Sequence, residues 1–259
     1  MVFVRWTGQS GVCPARIPTD QPAAGGVGRH GARDRREPPR PRRKHRSRDR
    51  APRASDRAGD ALEFLADAGI RRRSATGGTA MKTVLCYGDS NTWGWNAATR
   101  ARYPREERWT GRLQQQLGEG YWVVEEGQNG RTTVHDDPVE GSKNGMNYLI
   151  PCLESHHPVD LVVLMLGTND LKRRFCKSAM EIARSAGRLV RAIRTSPFGP
   201  GDQPPRVLLV APPPITTLTD FSEVFAGSVE KSLQFGTWYR AEAELHGVAF
   251  LDAVRDVLA

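Results

Sequence analysis

A chain of 259 residues has room for one large domain or two small ones, and its net charge of +9 is unevenly placed. Residues 1–80 hold 18 Lys and Arg against 8 Asp and Glu, whereas residues 81–259 hold 20 against 21, so the basic excess belongs to the first segment alone. The sequence has no apolar stretch long enough to span a membrane, no signal-peptide core, no Cys-x-x-Cys and no His-x-x-x-His. In chain order, Arg33 to Arg57 is dense in Arg and Pro with almost no large apolar residues. Such a composition cannot bury enough surface to offset the entropy of ordering, and disorder is expected across residues 1–80. Ala61 to Ile70 is a short helix candidate stopped by Gly69 and Arg71-Arg72-Arg73. A basic arm of this kind can meet nucleic acid or an anionic surface, but it carries no aromatic interleaving. The plainest account is that Met81 is the true start.

From Met81 onward strands and helices alternate. Thr83 to Tyr87 reads as a short buried strand that stops at Gly88, and Asp89 and Ser90 are its first polar residues. Arg100 to Arg108 is a charged connection long enough to fold over Ser90. Trp109 to Leu117 is a helix with Trp109, Leu113 and Leu117 on one face, ended by Gly118-Glu119-Gly120. Tyr121 to Val124 is a second strand, followed by the Gly-rich stretch Glu125 to Thr133. Gly145 to His156 is a helix with Met146, Leu149, Ile150 and Leu153 as its apolar face. Leu161 to Leu166 is apolar throughout, as a parallel strand covered on both faces should be, and runs into Gly167-Thr168-Asn169-Asp170. Ser178, with Glu181 three residues on, caps a helix to Arg194. Val207 to Val210 is a fourth strand, Val224 to Leu245 is mostly helix, and Ala249 to Leu251 is a fifth strand. The alternation predicts an α/β doubly wound parallel sheet.

Four cysteines, Cys13, Cys86, Cys152 and Cys176, show no paired spacing, so neither a metal site nor a disulfide framework is expected. Cys86 reads as a small buried hydrophobe. The absence of both a targeting signal and a disulfide pattern places the chain in the cytoplasm.

Three polar turns follow three parallel strands on the carboxyl side, where open α/β sheets bind ligands. Ser90 is a candidate nucleophile. A backbone N–H at Gly130 and the side-chain amide of Asn169 are candidate donors for an oxyanion. Each residue also has a plain turn role: Gly-Asp-Ser is a common turn, Asn hydrogen-bonds its own backbone, and Gly supplies positive φ. Trp93 and Trp95, whose alternate spacing puts them on the same side of an expected extended segment, either wall an apolar acyl pocket or belong to the core.

Gly88-Asp89-Ser90, the glycine of Asn129-Gly130, and Gly167-Thr168-Asn169-Asp170 resemble the first three blocks of the SGNH (GDSL) hydrolases. The stretch to Trp95, Arg108-Trp109-Thr110-Gly111, Glu125-Glu126-Gly127, Arg131-Thr132-Thr133 and Ala211-Pro212-Pro213-Pro214 resemble the arylesterase/acyltransferase branch. The resemblance starts at Met81 and leaves residues 1–80 untouched. It implies a flavodoxin-like three-layer α/β/α sandwich with strand order 2-1-3-4-5. It also implies a serine esterase or acyltransferase acting on small carboxylic (aryl or acetyl) esters, with no metal or organic cofactor. Ser90 would be nucleophile and oxyanion-hole donor, with Gly130 and Asn169 as the other donors. No membrane or nucleic-acid partner is implied, and a homo-oligomer stays open.

The family's final block, Asp-x-x-His after the fifth strand, has no counterpart before Ala259, and Asp252 and Asp256 have no His three residues on. The hydrolase domain, residues 81–259, is therefore expected to be incomplete at its carboxyl end. His156, His157 and His246 precede strands, which puts them at the amino edge of the sheet. His135 follows strand two on the carboxyl side and is the remaining candidate for the base, but beside Asp136-Asp137-Pro138 it reads as a loop residue. The competing expectations are an SGNH-fold binding module that lacks the base, and a scaffold for the basic arm.

Overall fold

The structure, a computed structural model, describes residues 81–216 and 221–253. The expectations for residues 1–80 and for Asp256 lie outside them. Seven strands form: β1 (Lys82–Gly88), β2 (Trp95–Asn96), β3 (Ala101–Arg102), β4 (Tyr121–Gly127), β5 (Leu161–Met165), β6 (Arg206–Ala211) and β7 (Ala249–Asp252). The helices are α1 (Ser90–Trp93), α2 (Trp109–Leu117), α3 (Gly145–Ser155), α4 (Ala179–Arg194), α5 (Val229–Ser232) and α6 (Phe235–His246).

The five long strands make one sheet in the order β4-β1-β5-β6-β7, every neighbouring pair parallel. Counted along the chain this is 2-1-3-4-5, as the resemblance implied. The period-two alternation of a strand assigns its side chains to two faces. Leu85, Tyr87, Val124, Val162 and Leu164 pack with α3, α4 and α6 in one apolar cluster. Val84, Cys86, Val123, Val163 and Met165 pack with Leu113 and Leu117 of α2 in the other. The sheet is thus the middle of three layers. β1 is buried almost throughout because it has a neighbour on each side and helices on both faces. Cys86 is fully buried, as a small core residue.

Local signals mark several helix ends well. Ser178 and Glu181 make a reciprocal capping box at the start of α4, whose inward face carries Ile182, Ala186, Leu189, Val190 and Ile193. The region from Val224 to Leu245 is mostly helix, as expected, divided into α5 and α6 after a turn. Two local expectations need correction. In α3 the buried stripe is Leu149, Cys152 and Leu153, while Ile150 is exposed; a small rotation of the stripe exchanges Ile150 for Cys152. The segment carrying Trp93 and Trp95 is not extended: α1 forms one helical turn and Gly94 ends it at φ 88°. The two indoles lie 6.2 Å apart at 37°, both half-buried. The Arg100 to Arg108 connection contributes β3, paired antiparallel with β2.

Candidate active site

Ser90 stands at the first helical position beyond β1, half-buried. Asp89, not Ser90, is the residue that ties off the turn. Its side chain accepts from the Asn91 N–H at 2.9 Å, and its carbonyl accepts from the N–H groups of Thr92 and Trp93 at 3.1 and 2.9 Å. The chain must pass very close to its neighbours here. A Cβ on Gly88 would lie 2.1 Å from the Thr92 hydroxyl oxygen and 2.9 Å from the Met165 carbonyl. Only glycine lets α1 fold back onto β1 and β5.

The turns after β1, β4 and β5 meet at this edge of the sheet. Asn169 is buried and its Nδ2 donates to the Arg131 carbonyl at 3.1 Å and to Asp89 Oδ2 at 3.4 Å. Asn91 Nδ2 donates to the Thr168 hydroxyl at 3.4 Å. Gly130 sits between these partners in sequence, with φ 83°, in the left-handed region that favours glycine. The three expected residues are therefore carried on turns that hydrogen-bond to one another through their immediate neighbours.

Arg131 is the tie that sequence reasoning passed over. It is almost fully buried, and its Nη1 donates to the Gly88 carbonyl at 3.0 Å and to the Glu126 carbonyl at 2.5 Å. The guanidinium lies 4.3 Å from the centre of the Tyr87 ring and 5.4 Å from that of Tyr148. Two aromatic faces and two carbonyls replace water around the charge, which lets an always-ionised group sit inside. A lone Arg after Asn-Gly carries no pattern that announces this; the signal was its place in a motif to which no role had been attached.

A second missed element is the pairing of His135 with Asp170. Asp170 is fully buried and accepts from the Thr133 N–H, the Thr133 hydroxyl at 2.5 Å and His135 Nδ1 at 2.7 Å. The imidazole donates through Nδ1, and its ring packs 5.8 Å from Phe175. The loop after Gly130 is thereby fastened to the turn after β5. His156 instead reaches Glu126 of β4 at 2.9 Å, while His157 and His246 lie beside Asp202 and Glu242.

Beyond Gly130 the chain is held by charge. Asp137 accepts from Arg174 at 2.5 Å and lies 3.4 Å from Lys172; Glu140 accepts from the same two cations. Burial raises the Asp137 carboxyl, but the hydrogen bonds from Arg174 and from the N–H groups of Val139 and Glu140, with the charge of Lys172, outweigh it and hold the group well below the usual carboxylate range. A Cβ on Gly130 would meet Glu140 Oε2 at 2.5 Å, so this network forms the wall over Gly130.

Asp89 shows the opposite balance. Burial pushes its carboxyl up to about 6, against the pull of the Asn91 N–H and of hydrogen bonds with Thr168 and Asn91. The folded value lies above the ordinary 3.8, so the folded state holds this proton more tightly than the unfolded chain. The stability this gives is fully present below about pH 4 and lost as pH rises through about 6. Asp89→Asn keeps an acceptor for the Asn91 N–H and removes the titration. The stability lost by the parent between about pH 4 and pH 7 should shrink in the variant by up to about 3 kcal/mol. Denaturant unfolding at the two pH values checks this; equal losses would mean that Asp89 ionises normally.

A parallel sheet in a three-layer α/β/α sandwich, with its polar turns gathered at the carboxyl ends of the strands and a serine at the head of the first of them, is the layout of an SGNH-type fold. The chain belongs to the GDSL-like lipase/acylhydrolase family, which it matches over residues 86–259. Its likeness to solved esterases is extensive. The carbohydrate acetylesterase Est24 of Sinorhizobium meliloti is 44% identical, with a TM-score of 0.64 over 67% of this chain and 85% of that one. The aryl esterase of M. smegmatis is 42% identical, again with a TM-score of 0.64 over 67% and 85%. An acetylxylan esterase of Xylanibacter ruminicola is 32% identical over 111 residues, 43% of this chain. The match spans 22% of the length of that curated relative. Among the described residues no helix is long and apolar enough to cross a membrane.

Proposed function

We propose that the protein is a serine esterase for small carboxylic esters, with acetyl esters of an aromatic alcohol or of a carbohydrate as the substrate class. Ser90 Oγ attacks the ester carbonyl as its proton passes to a general base, which the Asp-x-x-His block supplies in the family; the alcohol then leaves, taking up that proton, and the negative charge that develops on the carbonyl oxygen on the way is met by N–H groups already in place. The N–H of Ser90 is one, since Asp89 takes those of Asn91, Thr92 and Trp93 and not this one. The backbone of Gly130 is the second and Asn169 Nδ2 is the third. The carrying observation is the hydrogen bonding of Asn169. Its short bond to the Arg131 carbonyl fixes the amide, and its long one, to Asp89 at 3.4 Å, is the one a substrate oxygen replaces. A neutral amide held this way does not have to reorganise as charge develops. The named activities of the similar esterases support the substrate class.

The test is covalent capture. Exposed to a serine-directed fluorophosphonate, the protein should take up one adduct per chain, on the peptide holding Ser90. Binding of aryl acetates with neither adduct nor turnover would instead make the crevice a non-catalytic binding site.

A further inference from the structure

On the face of β4 that packs against α3, three side chains of different chemistry converge. Cys152 and His156 are four residues apart at the end of α3, and this spacing puts them on one face of the helix. Glu126 approaches them from β4. The thiol sulfur, the imidazole nitrogen and a carboxylate oxygen all lie within 4.8 Å of one another, and His156 Nε2 is 2.9 Å from Glu126 Oε1. We propose that Glu126, Cys152 and His156 form a binding site for a divalent transition metal, zinc in the first instance.

The donor set carries the choice of ion. A thiolate and an imidazole suit zinc or cobalt and not calcium or magnesium, which require oxygen donors. A tetrahedral zinc centre with one sulfur, one nitrogen and one oxygen ligand spaces its donors about 3.3–3.6 Å apart. With the donors within 4.8 Å of one another, the spacing needs adjustments of up to about 1.5 Å, to which the long Glu126 side chain contributes. Cys152 is fully buried, whereas the side chains of His156 and Glu126 are 20% and 21% exposed. The ion therefore enters from the His156 side, and water fills its fourth position. On coordination the Cys152 Sγ–H bond breaks, sulfur keeps the electron pair, and the proton leaves to solvent. The thiolate and the carboxylate together cancel the two charges of the ion. Arg131, which donates to the Glu126 carbonyl at 2.5 Å, then faces a cluster with no net charge.

The consequence is mechanical. Among the described residues β4 is an edge strand, paired only with β1. A metal held by β4 and by the end of α3 would clip that edge to the layer above it. The site is separate from the proposed esterase chemistry, and its test reads binding and not turnover.

The full chain, reduced and stripped of metal, is titrated with cobalt(II) alone. One cobalt per chain should bind, with a thiolate-to-cobalt charge-transfer band in the near ultraviolet and the strong visible bands of tetrahedral coordination, and zinc should abolish both. Cys152→Ser and His156→Ala should each remove the charge-transfer band, and Glu126→Gln should weaken binding by about tenfold or more. Cys176→Ser, at a thiol outside the cluster, should leave the band unchanged. With zinc at about a hundred times its Kd, the thermal midpoint should rise by about 5 °C or more. Absence of the band at millimolar cobalt, or its survival in His156→Ala, overturns the proposal. His156 is the informative position should Cys152→Ser fail to fold, because its side chain is partly exposed.

Discussion

Once the chain is joined to a segment carrying the family's Asp-x-x-His block, Ser90→Ala should abolish hydrolysis of an activated aryl acetate, with a loss of about five to six orders of magnitude in kcat, and leave the thermal midpoint almost unchanged. The two halves of this expectation have separate causes. The catalytic loss follows from removing the atom proposed to form the acyl-enzyme; in serine hydrolases deletion of the nucleophile costs about as much as deletion of the whole catalytic set, so the loss is read with the base in place. The stability is spared because the turn is capped by Asp89, whose carboxylate and carbonyl together hold three N–H groups of α1. The Ser90 hydroxyl closes none of these bonds, and alanine suits the first turn of a helix. An activated ester needs little assistance to its leaving group, so it is the most sensitive substrate for residual turnover. Turnover that persists in Ser90→Ala would remove Ser90 from the role of nucleophile. A fall in the thermal midpoint equal to several kcal/mol would mean that the lost activity reports unfolding.

In the same base-bearing form, Asn169→Ala should lower kcat by about two to three orders of magnitude with little change in KM, the usual result of deleting one oxyanion donor, equivalent to about 3–4 kcal/mol. The split matters because Asn169 is also structural. Its Nδ2 satisfies the buried Arg131 carbonyl and approaches the buried Asp89 carboxyl. Alanine leaves both acceptors without this donor, at a cost of about 1–3 kcal/mol in stability. A purely structural role would show as that stability loss, with kcat of the folded fraction within about tenfold of the parent. A donor role keeps the large kcat deficit after correction for the folded fraction. It acts on kcat and not on KM because the bond strengthens only as charge gathers on the carbonyl oxygen.

Much of the architecture was legible along the chain because it is written in local periodicity. Leu161 to Met165 is apolar at every position since both its faces are covered, and that composition alone marks a central parallel strand. The four-residue spacing in α2 and the Ser178–Glu181 capping box are likewise local signals. The strand order came from the family resemblance of the motifs. Ile150 and Cys152 were exchanged because both are apolar and the stripe of a short helix can be drawn through either. Packing of α3 against β1 and β4 decided between them.

Ser90, Gly130 and Asn169 could be picked out because each follows a strand, and the chain itself orders strand and turn. Everything that joins them came from the tertiary structure. Arg131 bonding to Gly88 spans 43 residues, Asn169 bonding to Asp89 spans 80, and His135 meeting Asp170 spans 35. Cys152 and His156 belong to a metal-like pair only once Glu126 of β4 is placed beside them. Spacing in sequence informs on contacts within one helix or one strand, where geometry is set by a few dihedral angles. Contacts between turns depend on the register of β1 with β4 and β5 and on side chains long enough to cross it. The fold class and the candidate nucleophile were determined by the sequence, whereas the raised carboxyl of Asp89, the buried charge of Arg131 and the posture of Asn169 were decided only when three distant turns met in a place without water.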